Sequence, residues 1–463
     1  LGQALAAGWI ARLLLPGRRL TRFLAICLTL TATSDYLTDN LTSLGYNFAA
    51  LMLLLALGAC LRYLAGGRAG WIALACAAIA VSLWTLDIAI PALPFVPGLL
   101  LWRTGLRAWR RMLLLFAALG LTLAPAVPIE WRFLHDATGY AAVAMAPMPL
   151  AGRLQRILSL WGENFAPWRW AFAHPVWYPR PPAAIPLWAM GLGAALAAAG
   201  FAWRVRQAGD PEAPEPAVRT LGLAAIFAVM ALVANAAYSG LQMAELHYRT
   251  HILSRTWASL ALAVLAGWAV QRWPRARTAL LIVPALFVGF GVWGGLERQD
   301  LWVATWRLHQ RELLSIVTAA PALTPGTGII LRSGPTPDLY LATEADYLAQ
   351  SWLVLLYDDP AIHGLRLAPD RGTGCRATSE GLDCWHEQQA ECFAAGTCAA
   401  DRFASGTLVI LNFDDRKGIW RLVDPSQVDP LWGGLGVAPA GYRPAERILK
   451  RPLTPRQRAL LLE

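Results

Sequence analysis

Two clusters of ionisable residues have types and spacings that could do chemistry. The run Ser34-Asp35-Tyr36-Leu37-Thr38-Asp39-Asn40 holds two carboxylates at i and i+4. That spacing puts both on one helix face, where they could share a divalent metal or supply a general base. The plainer alternative is a solvated loop whose aspartates cap a helix. The second cluster is Glu245-Leu246-His247-Tyr248-Arg249-Thr250-His251, followed by Arg255. Arg249 and Arg255 suit the oxygens of a phosphate or carboxylate, with Glu245 and His247 completing a substrate-binding set. His247 and His251 are also four apart and could bind a metal with Glu245. Snorkelling side chains with local ion pairs are the competing reading.

A third cluster is made of cysteines. Cys375, Cys384, Cys392 and Cys398 lie amid glycine and polar residues at spacings of nine, eight and six. Such a set predicts two disulfides, with three connectivities open. Zinc is the alternative, although the spacings do not form paired CxxC knuckles. Cys27, Cys60 and Cys76 sit in apolar segments and read as packed thiols. The pairs Asp358-Asp359 and Asp414-Asp415 each follow an apolar stretch and read as turns.

The elements that must position these residues are membrane helices. Hydrophobic residues make up 56% of the chain, charged residues only 15%, and there are 22 tryptophans; one soluble core does not require this composition. Nine apolar segments are long enough to be read as spans: 20–34, 47–63, 71–86, 88–102, 112–127, 183–203, 221–239, 252–270 and 279–296. Pro91, Pro94 and Pro97 mark the fourth as a candidate broken or re-entrant helix. Up to Leu296 there are 23 basic and 10 acidic residues, a net +13; from Glu297 on there are 17 and 20, a net −3. The basic character therefore belongs to the membrane half. Arginine at helix ends reports topology and contact with anionic lipid, and nucleic acid is not an expected partner.

Taking the first span as inside to outside collects the arginine clusters of the short loops on the cytoplasmic side: Arg18, Arg19, Arg22, Arg62, Arg68, Arg103, Arg107, Arg110, Arg111, Arg204, Arg206, Arg219, Arg272, Arg275 and Arg277. The opposite face then holds Asp35, Asp39, the stretch 128–182, the Glu245 cluster and everything after Leu296. Arg249 and Arg255 are the arginines that break the rule. Residues 128–182 interleave tryptophan with arginine, which suits amphipathic helices at the outer surface or the rim of an entrance for a lipid-linked substrate. The proline-rich segment 204–219 reads as a flexible linker.

The expected fold is thus an α-helical polytopic membrane protein of about nine visible spans over 1–296, followed by an extracytoplasmic α/β domain over 297–463. Helical spacing predicts a helix over 299–319 and another over 343–357. Strand signals fall at Gly328–Arg332, 407–413 and 419–423. The expected location is a bacterial inner membrane. Because the chain begins at Leu1, the reading allows for upstream sequence that is missing or has been removed.

Short-looped helices, an acidic outer loop after an early span, outer amphipathic helices and a C-terminal outer α/β domain together resemble the GT-C class of polyprenyl-phosphate-sugar glycosyltransferases. The run Glu297-Arg-Gln-Asp-Leu-Trp-Val-Ala-Thr-Trp-Arg-Leu-His-Gln310, with Ala320-Pro-Ala-Leu-Thr-Pro-Gly-Thr327 after it, also looks like a segment of bacterial multi-span proteins of that shape. The resemblance implies a catalytic aspartate in the first outer loop, at Asp35 or Asp39. It also implies a lipid-linked sugar arriving from the outer leaflet, and Arg249 with Arg255 on the leaving phosphate. The class carries its long helical loop at that first position, whereas here the long outer stretch follows the fifth span. Either upstream helices offset the count or the chemistry has been lost. The rival reading is a non-catalytic subunit of a larger membrane assembly, whose outer domain docks a protein partner; a transporter is disfavoured by the scarcity of charge inside the spans.

Overall fold

The chain opens with a helix, α1 (Gly2–Leu14), which the nine-span reading does not contain. Its apolar face, including Ala7, Ile10 and Leu14, is buried. A four-residue turn then reverses the chain: Arg18 N–H donates to the Leu15 carbonyl at 3.3 Å, and Gly17 takes a φ of +81° that other residues adopt at a cost. Pro16 pre-sets the preceding φ of this type II arrangement. Helix α2 (Arg19–Thr31) therefore runs back antiparallel along α1. The computed structural model describes residues 1–32, 44–85, 96–128, 149–172, 186–207, 216–235, 251–333, 346–367, 373–378, 380–385, 400–414, 417–423 and 442–462.

Leu1–His174 and Arg180–Gln299 form one compact unit. After α1 and α2 come α3 (Leu44–Gly66), α4 (Ala69–Thr85), α5 (Val96–Thr104) and α6 (Trp109–Leu123). These are followed by α7 (Leu150–Glu163), α8 (Pro167–Phe172), α9 (Leu187–Gln207), α10 (Ala217–Ala234), α11 (His251–Arg272) and α12 (Arg277–Ala319), whose last residues belong to the second unit. Among the described residues, five stretches are long and apolar enough to span a membrane: Gly45–Gly66, Leu187–Gln207, Ala217–Ala234, Leu253–Arg272 and Pro274–Asp300. They coincide with the second, sixth, seventh, eighth and ninth expected spans. The other four segments contain the shorter helices α2, α4, α5 and α6, so their apolar length alone is not enough to count them.

Small residues set the helix spacing in this unit. A Cβ on Gly58 of α3 would run into the Trp9 ring of α1, and one on Gly191 of α9 would lie 2.7 Å from the Gly289 carbonyl of α12. Large apolar side chains such as Leu114 and Leu121 of α6 and Leu196 and Phe201 of α9 face outward. An apolar exterior of this extent suits lipid as the surrounding medium. Arginine-bearing ends gather. Arg111 of α6 donates to the Leu64 carbonyl of α3 at 2.9 Å, Arg219 of α10 lies over Trp102 of α5, and Arg277 of α12 lies over Trp203 of α9.

The stretch expected to lie along an outer surface contributes α7 and α8. Trp161 of α7 donates its indole N–H to the Ala228 carbonyl of α10 at 3.0 Å, while Leu150, Leu154, Leu158 and Trp168 stay exposed. One face of α7 thus packs on α10, and its opposite face stays apolar and exposed.

Asp300–Glu463 belongs to the second unit, a small α/β structure. Strands β1 (Gly328–Arg332), β2 (His363–Leu367), β3 (Gly374–Ala377), β4 (Gly381–Trp385), β5 (Asp401–Ala404), β6 (Leu408–Asp414) and β7 (Ile419–Leu422) form two sheets. The larger has the order β2-β1-β6-β7, with β2, β1 and β6 parallel and β7 antiparallel to β6. Helix α13 (Asp346–Tyr357) makes the crossover from β1 to β2 that a parallel pair demands. Alternation does the rest. Ile329, Leu331, Val409 and Leu411 pack on Leu313, Ile316 and Val317 of α12 and on Leu353 of α13. Ile330, Leu365, Leu408 and Ile410 face Leu382 and Phe403 of the antiparallel sheet β3-β4-β5. The chain closes with α14 (Pro444–Arg447) and α15 (Pro455–Leu462), whose Leu461 joins the helical side of the core.

Three buried polar side chains tie this core together. Gln350 of α13 donates to the Ile362 carbonyl at 2.7 Å and accepts from Gly364 N–H, covering the edge of β2. Tyr357 donates to the Ala320 carbonyl at 2.8 Å, and burial pushes its phenol pKa up. Trp420 donates to Glu312 at 3.1 Å.

Candidate functional site

Because α1 and α2 are antiparallel, the start of α1 and the end of α2 meet at the end opposite their turn. The first turns of α3 and α11 join them there, and these elements place the amides of Gln3 and Asn47 beside the guanidinium of Arg255. Arg255 Nη2 donates to Gln3 Oε1 and to Asn47 Oδ1, each at 3.2 Å. Gln3 Nε2 donates in turn to the Asn47 carbonyl oxygen at 2.9 Å and to Asn47 Oδ1 at 3.2 Å. Arg255 is only 4% exposed. These two partners are neutral amides, which orient the guanidinium through their oxygens.

A cavity of about 430 Å³ opens beside this triad, lined by Leu1, Thr29, Asn47, Phe48, Leu51 and Arg255 among others. Its described lining contains no carboxylate. Thr29 Oγ1 and, on α11, Thr256 Oγ1 are buried with no hydrogen-bond partner among the described residues. Ser254 pairs with Asn164, at the end of α7, at 3.3 Å, so the amphipathic stretch is fastened to the same helix mouth. A guanidinium, amides and hydroxyls at the edge of an apolar bundle can bind an anionic head group whose tail stays in lipid.

Comparison with known proteins supplies no template. No protein family, curated protein or solved structure matches this chain. The site must therefore be read from its own geometry.

Of the residues singled out in the sequence, Arg255 lies in this mouth. Asp35, Asp39, Glu245, His247, Arg249, Cys392 and Cys398 lie outside the described residues, and His251 is described only as the first residue of α11. The flanks of two of those segments are described: α2 ends at Thr31, α3 begins at Leu44 and α11 begins at His251. Thr29 and Asn47, close to the flanks of the Asp35 segment, both line the cavity. Among the described residues, no group of three or more histidine, cysteine or acidic side chains could hold a metal.

Cys375 and Cys384 are joined. They face one another across the β3-β4 ladder with Cα atoms 4.0 Å apart. Asp358 and Asp414 behave as turn residues. Asp358 has a φ of +53° and contacts Arg456, Asp359 accepts from Ala361 N–H at 2.8 Å, and Asp414 accepts from Lys417 N–H at 3.2 Å.

Sequence reasoning missed Gln3, Asn47 and Thr29. Their only signal was polarity inside apolar runs. It also missed Arg366 of β2, 1% exposed, whose Nη2 donates to Ser333 Oγ at 3.3 Å near the C-terminal ends of the parallel strands β1 and β2. Ligands of open α/β sheets gather at such ends. Arg332 is adjacent to Ser333 on β1, and burial lowers its pKa.

Proposed function

We propose that this is an integral membrane protein of a bacterial inner membrane that binds the phosphate of a lipid-linked sugar at the Arg255 mouth and transfers the sugar on the outer face. The observation that carries the proposal is the buried Arg255, held by Gln3 and Asn47 on the wall of the 430 Å³ cavity. A lipid-linked phosphate matches that wall in both parts: oxygens for the guanidinium and an apolar tail for the surroundings. In this reading Asp35 or Asp39 orients or deprotonates the acceptor, and Arg249 joins Arg255 on the leaving phosphate. A divalent metal at the aspartates is part of the same hypothesis.

Sidedness rests on two supports. Arginine ends gather away from the mouth, as the positive-inside rule asks of a cytoplasmic face. The Cys375–Cys384 bond suits an oxidising compartment for the second unit. Nine spans keep this alternation if α2, α4, α5 and α6 cross together with the five longer stretches. Impermeant thiol labelling of intact cells after reduction tests it: modification of Cys375 and Cys384 is expected, and labelling only after lysis would reverse the orientation.

The activity test uses the full chain in lipid nanodiscs with a radiolabelled polyprenyl-phosphate sugar. Transfer should vanish in Asp35→Asn or Asp39→Asn, and donor affinity should fall about tenfold or more in Arg255→Gln. Full transfer by both aspartate variants would sink the catalytic assignment. A stoichiometric protein copurifying with a chain that turns nothing over would favour the non-catalytic subunit instead.

A further inference from the structure

Threonine in a helix has a local use for its hydroxyl: the carbonyl four residues earlier lies within reach and accepts it. This chain follows that habit at Thr31, Thr85, Thr104, Thr122 and Thr318, which donate to the carbonyls of Cys27, Val81, Leu100, Ala118 and Leu314 at 2.6–2.9 Å. Thr29 of α2 departs from it. It is 5% exposed, and its Oγ1 is buried with no hydrogen-bond partner among the described residues. Helical backbone is not the cause, because Thr31 sits two residues further along the same helix and keeps the local bond. A buried hydroxyl left unpaired costs stability in the free protein.

The surroundings of Thr29 show what can use it. Thr29 shares the lining of the 430 Å³ cavity with Arg255 and Asn47. Leu30 and Phe48 line it too, and both are exposed, so the cavity opens through the apolar exterior of the bundle. A ligand entering there meets alkyl and aromatic surface first and a guanidinium within. Phosphate carries several acceptor oxygens, whereas Arg255 Nη2 already gives hydrogen bonds to Gln3 and Asn47. A neutral hydroxyl adds a donor for those oxygens without adding charge to the bundle.

On the lipid-phosphate reading of the Arg255 mouth, we propose that Thr29 Oγ1 is a second donor to the phosphate and sets affinity for the lipid-linked ligand. Because the hydroxyl is buried while Thr29 lines the cavity, the oxygen reaches the ligand by a change of χ1 well, and threonine in a helix has two wells open to it. Binding exchanges an unpaired buried hydroxyl for a charge-assisted hydrogen bond. The hydroxyl thus lowers the stability of the free protein and raises its affinity for the ligand. These opposite signs separate it from a merely structural side chain.

Thr29→Val, which keeps the shape and removes the hydroxyl, is to be compared with Thr29→Ser, which keeps the hydroxyl, in the full chain in phosphatidylcholine nanodiscs. Calorimetry reads the affinity for a polyprenyl phosphate, and thermal unfolding without that probe reads the stability. Thr29→Val should bind about tenfold more weakly yet unfold at the wild-type temperature or above it, while Thr29→Ser should bind within about threefold of wild type. Thr29→Ala removes the hydroxyl by a second route and should weaken binding as much. Thr31→Val, which loses a hydroxyl bonded to the Cys27 carbonyl, should bind as wild type does. Wild-type affinity in Thr29→Val and Thr29→Ala, with Arg255→Gln weakened, overturns the role of Thr29 and leaves the Arg255 reading in place. No binding by the wild type overturns both. Should Thr29→Val unfold at a lower temperature and Thr29→Ser bind as weakly as Thr29→Val, the side chain serves packing and the proposal falls.

Discussion

At one end of α1 and α2, six arginines surround a cavity of about 530 Å³; at the other, about 20 Å along α2, one arginine is enclosed by two amides beside a cavity of about 430 Å³. The first end gathers charge by number, with side chains that are mostly exposed or half-buried. At the second, among the described residues, two amides fix the direction of one guanidinium. The difference teaches that charge count and charge placement carry separate information. A cluster of exposed side chains can adapt its arrangement, while a buried, hydrogen-bonded guanidinium selects a geometry.

The comparison breaks most directly at the acceptor side of the mouth. Asn47→Leu removes an acceptor and leaves the Arg255 charge inside the bundle, so a loss of about 3 kcal/mol is expected, read from thermal or denaturant unfolding in detergent. Arg255→Met removes the charge together with the need for its acceptors and should cost less, about 1–2 kcal/mol. An Asn47→Leu protein as stable as wild type would show that the amides do not hold the arginine. The smallest effect belongs to exposed Arg19: Arg19→Gln should alter stability by no more than about 0.5 kcal/mol, or slightly raise it by relieving repulsion at the start of α2.

Much of the helical scaffold was legible because length and apolar content are local properties. The five long apolar helices follow from reading the chain segment by segment. So do the strands at Gly328–Arg332 and Leu408–Asp414, where short β-branched runs are bounded by turn residues. Helix α1 is absent from the nine-span reading, and its apolar face shows its purpose only against α2 and α3. Arg255 was legible as an exception to a rule. Its partners were not: Gln3 and Asn47 lie 252 and 208 residues away in sequence, and a lone amide has no spacing signal. The cysteines were legible as a set, but the pairing of Cys375 with Cys384 required the β3-β4 register, and glycine and polar residues mask that ladder in the sequence.

The Pro16-Gly17 turn has a consequence for how such a protein is made. Neither α1 nor α2, at thirteen residues each, has the length to cross a bilayer straight as an isolated helix. Joined by so short a reversal, they can enter lipid as one helical hairpin, burying their shared face before either meets the hydrocarbon alone. Arg18 and Arg19, next to the bend, would then stay behind as a brake on the hairpin tip, so lengthening the turn or replacing Gly17 should show first as a defect in insertion, ahead of any defect in binding.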